Sequence, residues 1–198
     1  MKQVAYCLFE TQLGRCGIAW SQPEASGAQA AVSLLQLPEA TAAMMESRIA
    51  QSCGARQASA PPPEIARVIT RVRTHLEGEL QDLRDVAVFL EGQALFARRV
   101  YEAAREIPAG ETRTYGELAR AFRRPAAARA VGQALGRNPV PIIVPCHRVL
   151  AAGRKPGGFS AFGGRATKAR LLAIERAAFG RRSGQLSLLH LLRSVPSP

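Results

Sequence analysis

Twelve residues decide how this sequence is interpreted: Asn138-Pro139-Val140-Pro141-Ile142-Ile143-Val144-Pro145-Cys146-His147-Arg148-Val149. The three prolines restrict the backbone on the approach to Cys146, and three consecutive β-branched residues at 142–144 favour extended, buried backbone. We therefore expect a rigid segment that holds the Cys146 side chain in one place.

The residues after Cys146 predict a reactive thiol. His147 and Arg148 follow it directly, and positive neighbours favour the thiolate over a thiol whose ordinary pKa is about 8.5. A cysteine considered in isolation is most often a buried structural side chain. In this setting we interpret Cys146 as a nucleophile.

The positive charge of the chain is concentrated in its second half. The 198 residues carry a net charge of +12. Residues 1–91 contain eight Lys and Arg against ten Asp and Glu, whereas residues 92–182 contain 18 against five. This asymmetry predicts that the second half meets a polyanion. Most of these basic residues are arginines, whose side chains bind phosphate bidentately. Biased codon usage explains the number of arginines equally well, but it does not explain their concentration in the second half.

Neither a membrane span nor a disulfide framework is expected. No apolar run approaches the roughly 18 residues that cross a bilayer, and Met1–Glu10 lacks the layout of a signal peptide. We therefore expect a cytoplasmic protein without a membrane partner, associated with the nucleoid in a bacterium. We do not expect a zinc site, because the candidate ligands lack the close spacing of zinc ligands: Cys7, Cys16, Cys53 and His75. We expect the three cysteines to be buried thiols and the histidine to lie at the surface.

Residues 1–91 predict a small α/β domain. We expect strands at Val4–Phe9, Cys16–Trp20 and Ala31–Leu37, and helices at Ala42–Ala50 and Ile65–Leu76. The second helix has apolar residues at helical spacing and is followed by Gly78. Residues 54–63, which include three consecutive prolines, predict a loop.

Residues 92–180 predict a mainly helical domain, and residues 181–198 a partly ordered tail. Thr114 and Glu117 match a capping box, and Pro125 suits the first position of the next helix. Two short helices with a tight link predict a helix-turn-helix. A helical pair packed in a core is the commoner alternative, but arginines in or beside the pair favour DNA: Arg120, Arg123, Arg124, Arg129 and Arg137.

The second helix of this pair is rich in alanine, from Ala126 to Ala130. Small side chains allow a close approach to DNA but read little sequence, whereas a typical reader of the major groove projects long polar side chains. Some of these alanines are expected to pack inward. The pattern indicates a protein that searches for damage rather than an operator-specific repressor.

Pro145–Val149 resembles the Pro-Cys-His-Arg-Val signature of the O6-alkylguanine-DNA alkyltransferases, also called methylated-DNA-protein-cysteine methyltransferases. Further matching segments are Ile107-Pro108, Thr114–Gly116, Arg129–Gly132, Asn138-Pro139, Gly158–Ser160 and Leu171–Glu175. The resemblance covers most of the second half, and the first half resembles the family's variable domain only loosely. It implies an RNase H-like α/β first domain and a winged helix-turn-helix second domain.

The resemblance implies an irreversible alkyl transfer onto Cys146. His147 would deprotonate the thiol through a water, Glu175 would orient and polarise His147, and Asn138 would brace the turn by hydrogen bonds. The thioether product has no easy route back, so each molecule would act once. No metal or organic cofactor is implied.

The resemblance also implies that O6-alkylguanine is flipped out of double-stranded DNA, because a stacked base hides its alkyl carbon. Arg129 would occupy the space that the base leaves. The residues implied to contact the base are Tyr115, Val149 and Ser160. The residues implied to contact DNA through the minor groove are Arg124, Ala127, Arg129 and Ala130. The protein would act as a monomer.

Two departures from the family pattern concern the predicted pocket. Phe159 stands where many relatives have tyrosine, and Ala161-Phe162 separates Ser160 from Gly163-Gly164. The preference between methyl and larger adducts therefore stays open.

Two other classes of protein remain as alternatives. One is a binding module, either a non-catalytic alkylation-damage sensor or a winged-helix DNA-binding regulator. Such sensors replace the nucleophile, whereas Cys146 is present. The other is a Cys-His hydrolase, in which an adjacent pair such as Cys146 and His147 would usually point its side chains apart.

Overall fold

The computed structural model describes residues 3–22, 29–54, 56–57 and 60–175. The predicted tail, 181–198, lies outside these residues. The chain divides into two compact units: one contains the residues up to Gln93 together with Pro139–Ile143, and the other contains Ala94–Asn138 and the residues from Val144 onward. The assignment of Pro139–Ile143 to the first unit was not predicted from the sequence.

The first unit is built on a four-stranded sheet with the order β3-β2-β1-β4. The strands are β1 (Gln3–Thr11), β2 (Gly14–Gln22), β3 (Ala31–Gln36) and β4 (Arg56–Gln57). The strands β1 and β2 form an antiparallel hairpin. The pair β2–β3 is also antiparallel, whereas β4 pairs in parallel with β1. The predicted loop at 54–63 therefore contains a short strand.

Two helices pack in the first unit, α1 (Ala42–Cys53) and α2 (Pro63–Leu76). Thr41 caps α1 by accepting a hydrogen bond from the Met44 N–H, and Gly54 ends it in the left-handed conformation. In the core, Ile49 of α1 packs with Tyr6 and Ala19 of the sheet. The unit therefore has its own apolar core.

In the residues that the structure describes, the second unit contains short helices and two very short strands. Its helices are α3 (Leu95–Arg105), α4 (Tyr115–Ala121), α5 (Ala128–Gly136) and α6 (Arg165–Ile174). Its 3-10 helices are Pro125–Ala127, Cys146–Arg148 and Ala152–Arg154. The strands β5 (Arg113–Thr114) and β6 (Val149–Leu150) pair in parallel. The described residues thus combine a small sheet with helices, as expected of an α/β protein.

The predicted capping box fixes the start of α4. Thr114 Oγ1 accepts from the Glu117 N–H at 3.1 Å, and the Glu117 carboxylate accepts from the Thr114 N–H at 2.5 Å. These two reciprocal hydrogen bonds place Tyr115 at the first helical position. Pro125 begins a 3-10 helix rather than the α-helix predicted there, and α5 begins only at Ala128.

The predicted burial of residues 142–144 is confirmed, but the predicted extended backbone is wrong at Ile142 and Ile143. Ile142 has a φ of +72°, which β-branched residues rarely adopt, and residues 142 and 143 form a turn. The side chains of Ile142, Ile143 and Val144 are all buried. Burial of these side chains therefore outweighs their local preference for a strand.

Among the described residues, no helix is long and apolar enough to cross a membrane.

Candidate active site

Cys146 begins a 3-10 helix in a tightly bonded turn. The Cys146 N–H donates to the Val144 carbonyl at 2.8 Å, and the Arg148 N–H donates to the Pro145 carbonyl at 2.9 Å. Asn138 Nδ2 also donates to the Val144 carbonyl at 2.8 Å. The turn is therefore held from both sides, and only 7% of Cys146 is exposed.

The two residues after Cys146 converge on one buried carboxylate. His147 Nε2 lies 2.9 Å from Glu175 Oε1. Arg148 contacts both oxygens of Glu175, at 2.7 Å from Nη2 to Oε1 and 2.9 Å from Nε to Oε2, and donates to the Ile107 carbonyl at 2.6 Å. His147, Arg148 and Glu175 are all buried. Glu175 therefore fixes the orientation of the His147 ring.

The charges around Cys146 differ from the sequence prediction. Burial is the largest influence and raises the pKa of the Cys146 thiol. A hydrogen bond from the Asn138 side chain, the Lys168 ammonium and the backbone N–H groups of Cys146 and His147 lower it. The positive charge beside the thiol thus comes from Lys168, whereas Arg148 is engaged with Glu175.

Cys146 lies in the wall of a cavity of about 510 Å³. This volume falls in the range of about 300–1,000 Å³ that is typical of small-molecule sites. Small residues widen it: Ala128, Gly132, Gly136 and Gly158. A Cβ at Gly158 would meet nothing within 4 Å, and one at Gly132 would lie 3.8 Å from the Tyr115 ring. The cavity beside Cys146 is therefore of a size that suits a small ligand such as a flat ring system.

The structure brings several predicted site residues to this cavity. Its wall contains Tyr115, Arg129, Cys146 and Ser160, together with Phe159. Burial, followed by the Cys146 charge, raises the pKa of the Tyr115 phenol, so its hydroxyl keeps its proton and can donate. Four elements separated in sequence thus supply one site.

Other predicted residues lie outside this cavity wall. Val149 is buried in β6. Ala127 is half-buried in the 3-10 helix before α5, whereas Arg124 and Ala130 are exposed. Arg124 lines a second cavity of about 500 Å³ with Arg123 and Phe122.

The predicted surface position of His75 is wrong. His75 is 1% exposed, and its Nδ1 accepts a hydrogen bond from the Gln81 N–H at 3.1 Å. Cys7 and Cys16 are buried thiols. Within the described part of the chain, no group of three or more His, Cys, Asp or Glu side chains is arranged to hold a metal ion.

Lys168 is the site residue that sequence reasoning missed. Its side chain is fully buried in α6, although lysine is almost never buried unless it is paired. The signal was its position, because Lys168 lies three, four and seven residues before Leu171, Leu172 and Glu175 and so shares their helix face. A lysine on an otherwise buried face marks a specific role.

Comparison with known proteins identifies the family of this chain. A family model described as the DNA-binding domain of 6-O-methylguanine DNA methyltransferase matches residues 95–177. The methylated-DNA-protein-cysteine methyltransferase of Mycolicibacterium paratuberculosis is 45% identical over 115 residues, which cover 58% of this chain and 67% of that protein. The chain belongs to the methylated-DNA-protein-cysteine methyltransferase family. A second member, from Mycobacterium tuberculosis, is 43% identical over 116 residues, covering 59% of this chain and 68% of that one.

Solved structures of the family resemble both halves of the chain. The crystal structure of Mycobacterium tuberculosis O6-methylguanine methyltransferase matches with a TM-score of 0.67 at 33% identity, covering 94% of this chain and 99% of that one. The structure of Mycobacterium tuberculosis OGT in complex with DNA matches with a TM-score of 0.67 at 32% identity, covering 87% and 92%. The methyltransferase resemblance therefore extends beyond the segment that the family model covers.

Proposed function

We propose that this protein repairs O6-alkylguanine in double-stranded DNA by transferring the alkyl group irreversibly to Cys146, so that each molecule acts once. The observation that carries this proposal is a single arrangement: Cys146 lies in the wall of a cavity, and the residue that follows it, His147, is paired with the buried Glu175. Membership of the methyltransferase family supports the same chemistry.

In this mechanism, His147 removes the proton of Cys146 through a water, and Glu175 orients the ring and stabilises its positive charge. Burial raises the pKa of the thiol, so a nearby base is needed to form the nucleophile at neutral pH. The distance of 2.9 Å between His147 Nε2 and Glu175 Oε1 supports this role.

The leaving group in this reaction is guanine. The sulfur forms a bond to the alkyl carbon while the bond from that carbon to O6 breaks, and the electron pair stays on the base. Donors to the base stabilise the charge that develops there. Tyr115 and Ser160 would donate to the base, and their place in the cavity wall supports this role. The Val149 backbone would accept from the guanine amine.

The same proposal includes the DNA. The helix pair α4 and α5 acts as the helix-turn-helix of a winged domain, and the alanine-rich segment enters the minor groove. Arg129, at the cavity wall, fills the space left by the flipped base, and Arg124, Ala127 and Ala130 contact the DNA. The first unit has an RNase H-like arrangement, and the protein acts as a monomer.

Mass spectrometry tests the proposal directly. After mixing with duplex DNA that contains O6-methylguanine, we expect one methyl increment on the intact protein and on the tryptic peptide Asn138–Arg148, whose thiol is Cys146. The peptide Cys16–Arg48 is the internal control and should stay unmodified. Cys146→Ala should take no methyl group, whereas Cys16→Ala should react like the wild type. An unmodified wild type, or methylation of a different cysteine, would refute the proposal.

A further inference from the structure

The second cavity, of about 500 Å³, lies wholly within the second unit, at the beginning of α3 and the end of α4. No residue of its wall also belongs to the wall of the Cys146 cavity. Three apolar side chains and three arginines line it: Leu95, Phe96, Arg99, Phe122, Arg123 and Arg124. The proposed repair reaction uses only the last of these, so the cavity needs an explanation of its own.

The apolar part of the wall is open to solvent. Leu95 is 64% exposed. Phe96 and Phe122 are half-buried, with ring centroids 6.3 Å apart and ring planes at 60° to each other. A single exposed leucine is common, whereas an exposed apolar cluster marks a binding surface. The two tilted rings form a wedge, which suits a branched or aromatic side chain better than a flat base that stacks face to face.

The polar part of the wall is positively charged. Arg99, Arg123 and Arg124 are exposed. Within the part of the chain that the structure describes, their guanidinium groups form no ion pair or hydrogen bond, not even with Glu102, one turn further along α3. Three like charges around one cavity repel one another unless an anion lies between them. The wall is therefore complementary to a ligand that is both acidic and apolar.

The backbone at Arg123 favours a binding role for its side chain. Arg123 has a φ of +57° at the end of α4. Its N–H donates to the Arg120 carbonyl at 2.8 Å, and the Arg124 N–H donates to the Ala119 carbonyl at 3.0 Å, which is the pattern of a Schellman motif. Glycine is the usual residue at this position because it has no Cβ. The chain thus has a strained arginine where glycine would stabilise the helix end, and the arginine side chain lines the cavity.

Duplex DNA matches only the polar part of this surface. Its phosphates would bind the arginines, but its sugar-phosphate backbone offers no apolar side chain to cover Leu95 and the two rings. A flexible acidic protein segment with an apolar side chain matches both parts. Its carboxylates pair with guanidinium groups, and its apolar side chain fills the wedge as an anchor.

We propose that the second cavity is a docking site for an acidic, flexible segment of a partner protein. The carboxylates of this segment bind Arg99 and Arg123, and a leucine or phenylalanine side chain packs on Leu95 and Phe96. The site goes beyond the proposed repair function and does not depend on it. A wild type that transfers no methyl group would therefore refute the proposed function and leave this docking site in place.

Fluorescence anisotropy with labelled peptides tests the site in the full chain. The probe is the peptide Asp-Asp-Glu-Asp-Leu-Phe, labelled at its amino end and amidated at its carboxyl end. One control, Asp-Asp-Glu-Asp-Ser-Ser, lacks the apolar anchor, and the other, Asn-Asn-Gln-Asn-Leu-Phe, lacks the charges. Each control peptide fills only one part of the surface and should bind at least about 10-fold more weakly than the probe.

Two matched pairs of variants separate the cavity from its surroundings. Leu95→Ser should weaken probe binding by at least about 5-fold through lost apolar contact, whereas Leu80→Ser alters an exposed leucine of the first unit and should not weaken it. Arg99→Ala should weaken probe binding by about 5-fold. Arg98→Ala removes an exposed charge from the adjacent position of α3 and should change the affinity by less than about 2-fold.

Arg123→Gly distinguishes a binding role from a structural one. Because glycine suits the left-handed backbone at this position, the melting temperature of the variant should rise. Its affinity for the probe should nevertheless fall by at least about 5-fold, since one charged hydrogen-bond donor is lost. Damage to the fold cannot explain a variant that is more stable and binds more weakly.

Three results would overturn the inference. The first is no saturable binding of the probe up to about 1 mM, or equal binding of the probe and either control peptide. The second is an unchanged probe affinity in both Leu95→Ser and Arg123→Gly. The third is binding of a single-stranded oligothymidylate that depends on Leu95 while the probe does not bind, which would assign the cavity to nucleic acid instead.

Discussion

Two buried thiols, one in each unit, have opposite surroundings. Cys16 is fully buried in β2, and burial raises its pKa to about 12, with the Thr11 hydroxyl at 3.7 Å as its hydrogen-bond partner. Cys146 is nearly as buried, yet Lys168, an amide and two backbone N–H groups favour its thiolate. Burial therefore does not distinguish the two thiols, whereas the charged and hydrogen-bonding groups around them and the cavity beside Cys146 do.

The backbone explains the difference in access. Cys16 pairs with Phe9 inside a continuous antiparallel ladder, so its side chain belongs to the packed interior of a sheet. Cys146 lies at the first position of a 3-10 turn, beside a cavity. The backbone N–H groups of Cys146 and His147 in this turn lower the pKa of the Cys146 thiol, whereas the N–H groups of a ladder are used between strands.

The largest expected effect comes from removing the negative charge of Glu175, which pairs with His147. Glu175→Gln should slow transfer by about 100-fold, because a base without its carboxylate loses much of its catalytic contribution. It should also lower the free energy of unfolding by about 3–5 kcal/mol, because Arg148 stays buried without an anionic partner. Single-turnover rates and denaturant unfolding measure the two effects.

Glu111→Gln is the control for this variant, because the exposed Glu111 pairs with Arg113 at 3.2 Å. It should change the free energy of unfolding by less than about 1 kcal/mol. An unchanged transfer rate in Glu175→Gln would show that the carboxylate does not distinguish Cys146 from Cys16.

An intermediate effect is expected at the entrance to the cavity. Arg129→Ala should slow transfer from duplex DNA by about 10-fold, because the flipped state loses the side chain that fills the duplex, while reaction with the free alkylated base should change less than about 2-fold. Arg120→Ala removes a similar exposed charge from α4 and should weaken DNA binding without this selectivity. Equal losses on both substrates in Arg129→Ala would reject the filling role.

The smallest effect should come from the thiol of the first unit. Thr11→Val removes the hydroxyl that contacts Cys16 and also donates to the Gly14 carbonyl at 2.7 Å. We expect a loss of about 1 kcal/mol in the free energy of unfolding and no change in the transfer rate. A slower transfer would mean that the Cys16 environment contributes to the reaction after all.

Features encoded within a few residues were predictable. The capping box at Thr114 requires only a partner three residues away, and the apolar spacing of α2 lies within one helix. The pairing of Arg113 with Val149 was not predictable, because neither two-residue strand has a pattern of its own. Tertiary burial likewise decided the turn at Ile142 against its local preference.

The candidate site was predictable where the signature is contiguous. Cys146 and His147 stand in one short motif, and Glu175 lies in a further matching segment. Lys168 was missed because a single lysine in a basic region suggests a solvated side chain, and the carbonyls that it donates to lie at two distant positions. Its place on the buried face of α6 was the available clue.

The helix α6 bears its charges against its own macrodipole. Lys168 lies in the half that follows the positive N-terminus, Glu175 stands at the negative C-terminal cap, and Gly164 provides no side-chain cap. Such a segment would gain little helicity as an isolated peptide. The helix therefore depends on packing against the rest of the second unit. We expect α6, which supplies Lys168 and Glu175, to form only after the residues around the cavity have folded.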